Sequence, residues 1–493
     1  MRLAWFTPLA PVRSGIASYS AEILPLLAAA HTIDVFVDEP VFASARAREA
    51  GGGRGPVLRG PRYGVADRAL GATILSAHDF VPLNTVRPYD LVVYQMGNAA
   101  CHDYMWPYAL RYPGLLVLHD TLLHHARAMA LLGRGRVADY RAEFVWHHPD
   151  RRANLAEFAV AGLSGALHYL MPMRHGIVES SRAVAVHDPW TAAELRQDHE
   201  GTVVEPIRMG VPRFPGASAH APPPGDQRPV TFAAFGLVTP EKRIPQILRA
   251  LAEVSRMTPD VRLLLVGDRA SHFDAMAAAE ALGVAGRITL TGFVGDEALA
   301  EHLAGIDVAI CLRWPTTRET SASWLRCLAA AKPTITNDLT HLVDVPSLDP
   351  RSWIVLHAAR DAAFGEGSTI SRRPVCVSID ILDEDHSLRL AMQRLAVDAE
   401  LRAQLGRSAE DYWRAHHTLA HMAEDYERVL QLAAARPPPA PPGERPIHVD
   451  ADHRWRLGEL LAEIGVAGDP FGEGVTRESS LAQARSANRE TTD

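Results

Sequence analysis

Short apolar segments alternate with helix-like stretches along this chain, and the whole alternation occurs twice. Strand-forming segments followed each time by a helical stretch are typical of a parallel sheet with helices on both faces. Two separate doubly wound sheets are therefore predicted, and the predicted fold class is α/β. The expected strands are 2–6, 32–37, 91–94, 115–118 and 183–187 in the first half, and 230–234, 262–266, 288–291, 307–312 and 334–337 in the second.

A proline-rich, polar segment at 211–229 separates the two halves, as expected of an interdomain linker. It predicts one Rossmann-like domain over 1–210 and another over 230–410. In open α/β sheets, ligands bind beyond the carboxyl ends of the strands, so we expect a site in a cleft between the two domains. A second proline-rich run opens a tail at 436–493 that is predicted to be partly disordered.

A strand, a polar loop and a helix follow one another at 308–333. The loop contains Glu319, Thr320 and Ser321, and Pro333 ends the helix. Threonine and serine favour helix N-caps. Because a helix start presents free N–H groups and the positive end of the helix dipole, this loop predicts a phosphate-binding site.

Two further loops come directly after predicted strands. Ser14 and Gly15 follow the first strand of the chain, and Gly236 follows the first strand of the second half. Glycine lets the backbone pass close to a ligand, although a simple turn glycine is the alternative. Lys242 ends the second loop, where a compact positive charge can stabilise a leaving diphosphate. Arg243 is a further candidate cation, with a solvent-exposed role as the alternative.

His119 comes directly after the buried strand predicted at 115–118, and this position directs its ring into the cleft. Packing within the core is the alternative. His124 and His125 lie close by and suggest zinc, but no cysteine or carboxylate stands at a useful spacing as a third ligand. We therefore predict no metal site.

The order of these motifs resembles family 4 glycosyltransferases of the GT-B fold, over about residues 1–432. In that family an acidic residue opens the donor-binding loop, and a helix of small residues ends in Gly-x-Pro. The segment from Leu312 to Pro333 is similar, with Glu319 in the acidic position. The resemblance implies two Rossmann-like domains facing a cleft and a closing helix at 411–435 that crosses back to the first domain.

The resemblance also implies roles for the candidate residues. Glu319 and His119 would contact the transferred sugar, and Lys242 would bind the donor phosphates. The other donor-binding residues implied are Ser14, Gly15, Gly236, Arg243, Phe293, Val294, Thr320, Ser321 and Arg326, with the backbone of Phe293 and Val294 holding the base. The chain departs from the family pattern at Leu237, which replaces a cation, and at Arg326, which replaces a ribose-binding acid. Arg326 is expected to reach the diphosphate instead.

These features imply a retaining, metal-independent glycosyltransferase (EC 2.4) that uses a nucleotide-diphosphate sugar, a UDP- or GDP-sugar, and no other cofactor. The acceptor is open: a glycan, a lipid-linked group or a small molecule. One alternative is a GT-B relative that has lost catalysis and serves as a sugar-nucleotide or partner-binding module. A different Rossmann enzyme is disfavoured, because no Gly-x-Gly-x-x-Gly follows the first strand and no P-loop motif occurs.

Composition limits the partners and the compartment. The net charge of −8, with no basic run, indicates that nucleic acid is not a partner. The four cysteines lie far apart, which favours a reduced cytoplasm. No apolar run reaches the roughly 18 residues of a membrane span. The nearest, 155–171, predicts a buried helix, with an interfacial helix and peripheral membrane contact as the alternative.

Overall fold

The computed structural model describes residues 1–43, 64–149, 153–214, 228–258, 260–339, 342–356, 373–440 and 445–450. Within these ranges the backbone forms two eight-stranded sheets with helices packed against them. The strands of the first sheet are β1 (Arg2–Phe6), β2 (Thr32–Val37), β3 (Gly64–Asp67), β4 (Ala72–Ser76), β5 (Leu91–Met96), β6 (Leu115–Leu118), β7 (Ala183–Val186) and β8 (Val204–Pro206). Those of the second are β9 (Val230–Phe235), β10 (Val261–Val266), β11 (Ile288–Leu290), β12 (Val308–Cys311), β13 (Thr334–Asn337), β14 (Ser347–Leu348), β15 (Val355–Leu356) and β16 (Cys376–Ile379).

The first sheet has the order β3-β4-β2-β1-β5-β6-β7-β8. Its strands pair in parallel, except that β3 runs antiparallel to β4. Leu3 of β1 lies opposite Ile33 on one side and Leu91 on the other. Every residue of β5 and β6 is buried, as expected for a parallel sheet covered on both faces.

The second sheet has the order β11-β10-β9-β12-β13-β16-β14-β15. Leu263 of β10 lies opposite Phe232 of β9 and Ile288 of β11, and the pairing is parallel except between β14 and β15. The predicted α/β class with two doubly wound sheets is therefore confirmed. The sequence pattern missed β3, β4, β8, β14, β15 and β16, which have two to five residues each.

The helices follow the apolar periodicity of the sequence. In α10, for example, Ile247, Leu251 and Val254 recur on one face and are fully buried. The helices are α1 (Gly15–Leu27), α2 (Phe80–Val86), α3 (Trp106–Arg111), α4 (His124–Leu131), α5 (Val137–His147), α6 (Ala156–Val160), α7 (Leu167–Leu170), α8 (His175–Glu179), α9 (Pro189–Asp198), α10 (Ile244–Met257), α11 (Ala275–Ala281), α12 (Asp296–Gly305), α13 (Ala322–Ala329), α14 (Glu384–Val397), α15 (Ala399–His416), α16 (Leu419–Ala434) and α17 (Ile447–Asp450).

Two helical stretches are each divided into two helices. Helix α14 ends just before Asp398, whose carboxylate accepts from Leu401 N at 2.9 Å and so caps α15. The single helix expected over 155–171 is wrong, because a turn with Gly162 at φ 77° separates α6 from α7. Among the described residues, no helix is both long and apolar enough to cross a bilayer.

Helix α16 packs against the first domain. Its Tyr426 hydroxyl accepts from the Tyr19 hydroxyl at 2.8 Å and from Gln95 Nε2 at 3.1 Å. Glu427 of the same helix lies 2.8 Å from His31 Nε2. The chain therefore returns to the first domain after it has built the second. The linker positions 215–227 and the tail after 450 lie outside the described residues.

Each sheet changes its direction of winding beside its own first strand. β1 lies between β2 and β5, and β9 lies between β10 and β12. Loops that leave adjacent strands at such a point diverge and open a crevice beyond the carboxyl ends of the strands. Thr121 of the first domain donates its backbone N–H to Thr317 O of the second at 3.2 Å. The two crevices therefore form one interdomain cleft.

Candidate active site

A cavity of about 170 Å³ lies at the switch point of the second sheet. Its walls come from the loop after β9, the loop after β12, the start of α13 and the end of β13. It is lined by Phe235, Lys242, Ile310, Cys311, Leu312, Arg313, Thr316, Glu319, Thr320, Ser321, Ala322, Ser323, Trp324, Thr336, Asn337, Leu339 and Leu342. Four predicted site residues, Lys242, Glu319, Thr320 and Ser321, are thus brought together.

Lys242 supplies an ammonium group to this cavity. It ends a short 3₁₀ turn, Pro240–Lys242, whose cap Thr239 accepts from Lys242 N at 3.3 Å. Its Nζ donates to Phe235 O at 3.2 Å. Gly236 has φ 97°, and a Cβ there would lie 3.3 Å from Lys242 Nζ, so glycine both permits the backbone turn and leaves room for the ammonium. Burial and the neighbouring Arg313 lower the pKa of Lys242.

The N-terminus of α13 opens into the same cavity. Ser321 caps the helix, and its hydroxyl accepts from Trp324 N at 3.2 Å. Two buried side-chain atoms of lining residues, Thr320 Oγ1 and Asn337 Nδ2, have no hydrogen-bond partner among the described residues. Buried polar groups are normally satisfied, so these atoms point to a polar ligand. Together with the positive end of the helix dipole, they suit an anion.

Glu319 is fixed at the edge of the cavity by its own loop. One carboxylate oxygen forms an ion pair with Arg313 Nε. The other accepts from the hydroxyl of Thr316 at 3.0 Å and from the backbone N–H of Thr317 at 3.0 Å. Although burial opposes ionisation, Arg313 and these hydrogen bonds lower the pKa of Glu319. The carboxylate is therefore ionised and rigidly held, as required of a group that positions a ligand hydroxyl.

Loop 312–321 also contacts the first domain. Thr317 Oγ1 lies 2.7 Å from Asp120 Oδ1, and Asp120 Oδ2 accepts from Asn98 N at 2.8 Å. Burial and the nearby Glu319 raise the pKa of Asp120. Arg318 of this loop, at φ 61°, forms an ion pair with Glu194 of α9. These contacts place loop 312–321, the predicted donor-binding loop and called the donor loop below, directly against the strand ends of the first sheet.

His119 lies in a hydrogen-bonded chain beneath the cleft, with only 7% of its surface exposed. Its Nε2 lies 2.8 Å from the Gln95 amide, and its Nδ1 lies 3.0 Å from His187 Nε2. His187 Nδ1 in turn lies 3.0 Å from Ile207 O. Burial lowers the pKa of His187 to about 4 and the pKa of His119 well below its usual range. The expectation that the His119 ring points freely into the cleft is wrong, since neighbouring side chains occupy both nitrogens.

Ser14 and Gly15 begin α1 at the switch point of the first sheet. The Ser14 hydroxyl accepts from Ile16 N at 3.2 Å and caps the helix. No atom lies within 4 Å of the position that a Cβ on Gly15 would occupy. The space beside this glycine is therefore open to a ligand. Just before them, Arg13 reaches the second domain, where it lies 2.9 Å from Asp268 and stacks over the ring of Phe293 at 4.4 Å.

Of the predicted donor-binding residues, seven do not line the cavity, namely Ser14, Gly15, Gly236, Arg243, Phe293, Val294 and Arg326. Arg243, at φ 59°, directs its guanidinium to Glu384, with Nε at 2.7 Å. The Phe293 N–H donates to Asp268 Oδ1 at 3.0 Å, and Val294 packs against apolar residues. Arg326 forms an ion pair with Glu22 of α1, so its guanidinium bridges the two domains.

The positions of the histidines also decide whether His119, His124 and His125 could bind one zinc ion, as considered from the sequence. His124 Nε2 lies 2.6 Å from the Tyr140 hydroxyl and its Nδ1 lies 2.8 Å from Met171 O. Both of its nitrogens are therefore used in the core. His119 is bonded to Gln95 and His187 instead. The three histidines at 119, 124 and 125 do not form a ligand set.

Sequence reasoning missed several residues at the site. Asn337 ends β13, and its Oδ1 accepts from Arg313 N at 2.6 Å, which fixes the donor loop. The sequence does indicate Asn337, because it is a polar residue at the end of a buried strand. Asp120 carries the same kind of signal, because it follows His119 at the end of the buried strand β6. Thr317 gives no such signal, because its contact with Asp120 depends on how the two domains pack.

Comparison with known proteins agrees with this architecture. Residues 229–364 match the family model described as glycosyl transferases group 1. None of the curated proteins compared with this chain matches it significantly. Among solved structures, sucrose-phosphate synthase from Thermosynechococcus elongatus is similar with a TM-score of 0.53 and 15% identity, over 87% of this chain and 98% of that protein.

Two further similar structures have comparable scores. HepE of Anabaena, solved with UDP and glucose, gives a TM-score of 0.54 at 12% identity, over 87% of this chain and 99% of its own. WaaG, a glycosyltransferase involved in lipopolysaccharide biosynthesis, gives 0.53 at 14%, over 88% and 100%. At these identities the likeness shows the fold. The chain therefore has the GT-B glycosyltransferase fold, and its second domain carries the sequence features of glycosyl transferases group 1.

Proposed function

We propose that the protein is a retaining glycosyltransferase that moves a sugar from a nucleotide-diphosphate sugar to an acceptor hydroxyl. The observation that carries this proposal is the convergence of positive groups and unsatisfied polar atoms on one cavity. Lys242 Nζ, the N-terminus of α13 and the unpartnered Thr320 Oγ1 all line it. A departing diphosphate develops negative charge, and preorganised donors of this kind stabilise such charge.

The donor is proposed to be a UDP- or GDP-sugar. HepE was solved with UDP and glucose, and its fold is shared with this chain. The amides of Phe293 and Val294, predicted to hold the base, lie on the loop after β11, which is separated from β9 by the single strand β10 in the sheet order. Binding the base there requires the Phe293 N–H to leave Asp268 Oδ1.

Metal-independent transfer is part of the proposal. Lys242 and Arg313 both line the cavity, so two cationic side chains lie beside the predicted diphosphate position, and Arg313 is at the same time paired with Glu319. These charges can take the place of a divalent cation in balancing the leaving group. Glu319 is proposed to position the sugar, and the donor phosphate is proposed to receive the acceptor proton on the same face, as the family resemblance implies. We further propose a cytoplasmic location with peripheral membrane contact, which is supported by the exposed side chains of Phe158, Leu163 and Leu170 on and between α6 and α7.

A catalytically impaired, sugar-nucleotide-binding module is the second candidate function. Leu237 favours it, because this residue replaces a phosphate-binding cation and its side chain is exposed. Arg326 favours it too, because its guanidinium is paired with Glu22.

A thermal-shift screen of UDP-, GDP- and dTDP-sugars, followed by a donor-hydrolysis assay, tests both functions. Hydrolysis of a stabilising donor, undiminished after EDTA treatment, is expected of the enzyme. Stabilisation without any hydrolysis identifies the binding module. Strict dependence on Mg²⁺ or Mn²⁺ would contradict the metal-independent mechanism, and the absence of any stabilising sugar nucleotide would contradict both.

A further inference from the structure

A cluster of three ligating side chains lies in the first domain, outside the donor cavity. His175 Nδ1 is 3.0 Å from Glu179 Oε1, and His199 Nδ1 is 3.4 Å from the same oxygen. All three ligand atoms lie within 4.8 Å of one another. None of these residues lines the donor cavity.

The fold presents these three groups from two helices. His175 and Glu179 are one turn apart on α8, so their side chains lie on the same face. His199 directly follows the last residue of α9 and is 5% exposed. The side chains of His175 and Glu179 are 27% and 28% exposed, so solvent reaches the cluster from one side.

The spacing suits a tetrahedral metal ion. Zinc bonds nitrogen and carboxylate oxygen at about 2.0 to 2.2 Å, so two ligand atoms of a tetrahedral site lie roughly 3.3 Å apart. The separations of the Glu179 oxygen from the two histidine nitrogens, 3.0 and 3.4 Å, are close to this value. Two imidazoles with one carboxylate form a donor set that borderline divalent ions prefer, whereas Ca²⁺ and Mg²⁺ require mainly oxygen ligands.

The charges around the cluster also permit a cation. Arg174, which precedes α8, is the closest positive side chain in sequence, and it is paired with Asp198 at 2.7 Å and lies 3.7 Å from Glu194. Arg318 is paired with Glu194 as well. With neutral imidazoles, the carboxylates at 179, 194 and 198 outnumber the two guanidiniums by one. A divalent ion would therefore enter a locally negative region.

We propose that His175, Glu179 and His199 bind one divalent ion of the zinc class, with water as the fourth ligand. The ion would tie α8 to the C-terminal end of α9. Helix α9 carries Glu194, which pairs with Arg318 of the donor loop. The ion therefore holds a surface of the first domain against the second and takes no part in sugar transfer. This role is independent of the proposed function, since the donor cavity contains none of the ligands.

The test uses the full-length chain, stripped with a chelator and then dialysed against Zn²⁺ or Co²⁺. About one ion per chain is expected, with a rise in Tm of roughly 2 to 4 °C at saturating Zn²⁺. Co²⁺ should give the intense visible absorption of a tetrahedral site. His175→Ala and Glu179→Gln, both at partly exposed positions, should each weaken Zn²⁺ binding at least about tenfold, because each removes a direct ligand.

Two control variants make the result decisive. His125→Ala removes an exposed histidine whose ring lies 5.2 Å from that of His168, and Cys311→Ser removes a thiol that lines the donor cavity. Both controls should retain wild-type Zn²⁺ stoichiometry and Tm rise. The proposal is overturned if the wild-type chain binds no Zn²⁺, if His175→Ala and Glu179→Gln bind it normally, or if Cys311→Ser abolishes binding.

Discussion

Thr317 Oγ1 lies 2.7 Å from Asp120 Oδ1, and this contact joins the donor loop to the first domain. The same hydroxyl lies 2.8 Å from Glu319 Oε2. A threonine hydroxyl has one proton, so it cannot donate to two carboxylates at once. Burial and Glu319 raise the pKa of Asp120, whereas the pKa of Glu319 is lowered. The consistent assignment is therefore a protonated Asp120 that donates to Thr317, which donates to Glu319.

The first prediction concerns this proton. A carboxyl group with a raised folded-state pKa contributes stability that is present at low pH and is lost as the pH rises through that pKa. Asp120→Asn replaces the proton with an amide donor at every pH. We expect its Tm to equal or exceed the wild-type Tm near pH 8 and the advantage to shrink toward about pH 5. Thermal melts across this pH range measure the difference in Tm. Thr317→Val, which lacks the hydroxyl, should be destabilised at every pH. An Asp120→Asn chain less stable than wild type at neutral pH would contradict the assignment.

The second prediction concerns Lys242, one of two lysines in the chain. The other, Lys332, donates to Ala304 O and Ile306 O at 2.9 Å each. Lys242→Ala should lower turnover by about two to three powers of ten, because a preorganised charge on the leaving group is lost. Lys242→Arg, which keeps the charge, is the matched comparison. Near-wild-type turnover of Lys242→Ala at saturating donor would show that another cation binds the phosphates.

The lysine pair also allows a labelling experiment on the wild-type chain. Because the pKa of Lys242 is lowered by burial and by Arg313, more of its amine is free near neutral pH than for an ordinary lysine. Burial lowers the pKa of Lys332 as well, but its amine is buried and donates to two backbone carbonyls, whereas Lys242 lines the cavity. An amine-acylating reagent should therefore modify Lys242 before Lys332, as read by peptide mass spectrometry, and a bound nucleoside diphosphate should slow that modification.

The third prediction assigns Glu319 to the sugar. Glu319→Gln should weaken the intact sugar nucleotide or slow transfer, while the affinity for the free nucleoside diphosphate stays within about twofold, as expected for a local hydrogen bond. Calorimetric titration with both ligands measures this. Arg249→Ala, which removes an exposed ion pair with Asp385, should leave both affinities unchanged. If Glu319→Gln loses equal affinity for both ligands, the assignment of Glu319 to the sugar is wrong.

The fourth prediction concerns Arg326, which pairs with Glu22 across the domains. Their side chains are only 12% and 19% exposed, so removing one partner leaves a largely buried charge. Arg326→Ala and Glu22→Gln should therefore be non-additive in urea unfolding, with an interaction energy of about 1 to 3 kcal/mol. Nucleoside diphosphate affinity should change little in Arg326→Ala. Strictly additive effects on the free energy of unfolding, together with a loss of nucleotide affinity in Arg326→Ala, would indicate that Arg326 binds the donor.

The strand ends and their loops were predictable because a parallel sheet brings them to one edge. Lys242, Glu319 and Ser321 therefore meet in the structure at the cavity that their spacing indicated. Arg243 was not predictable, because its left-handed backbone turns the side chain toward Glu384, a residue more than a hundred positions away. Arg326 was likewise misplaced, since its partner belongs to the other domain. Pairing across a cleft depends on domain packing, which no local pattern encodes.

The last prediction concerns which nitrogen atoms carry protons in the hydrogen-bonded chain of Gln95, His119 and His187 beneath the cleft. Ile207 O can only accept, so a neutral His187 must carry its proton on Nδ1 and accept at Nε2. His119 must then donate from Nδ1 to His187, so its own Nε2 must accept. The structure sets Gln95 Oε1 against this nitrogen and Gln95 Nε2 against the Tyr426 hydroxyl. The assignment therefore requires the Gln95 amide to be flipped, so that its N–H₂ donates to His119 and its oxygen accepts from Tyr426. Both pKa values are lowered by burial, that of His187 to about 4, so neither ring should titrate between about pH 6 and pH 8.

Nitrogen-15 NMR of histidine-labelled protein measures both tautomers directly. The Nδ1–H form is expected for His119 and His187, with assignments made from His119→Asn and His187→Asn. His78, which is exposed and lies just after β4, serves as a surface histidine for comparison. If His119 instead shows an Nε2–H signal or a transition near neutral pH, the chain of hydrogen bonds runs in the opposite direction and His187 must be charged. In that case the groups beneath the cleft would add a positive charge close to the predicted sugar position.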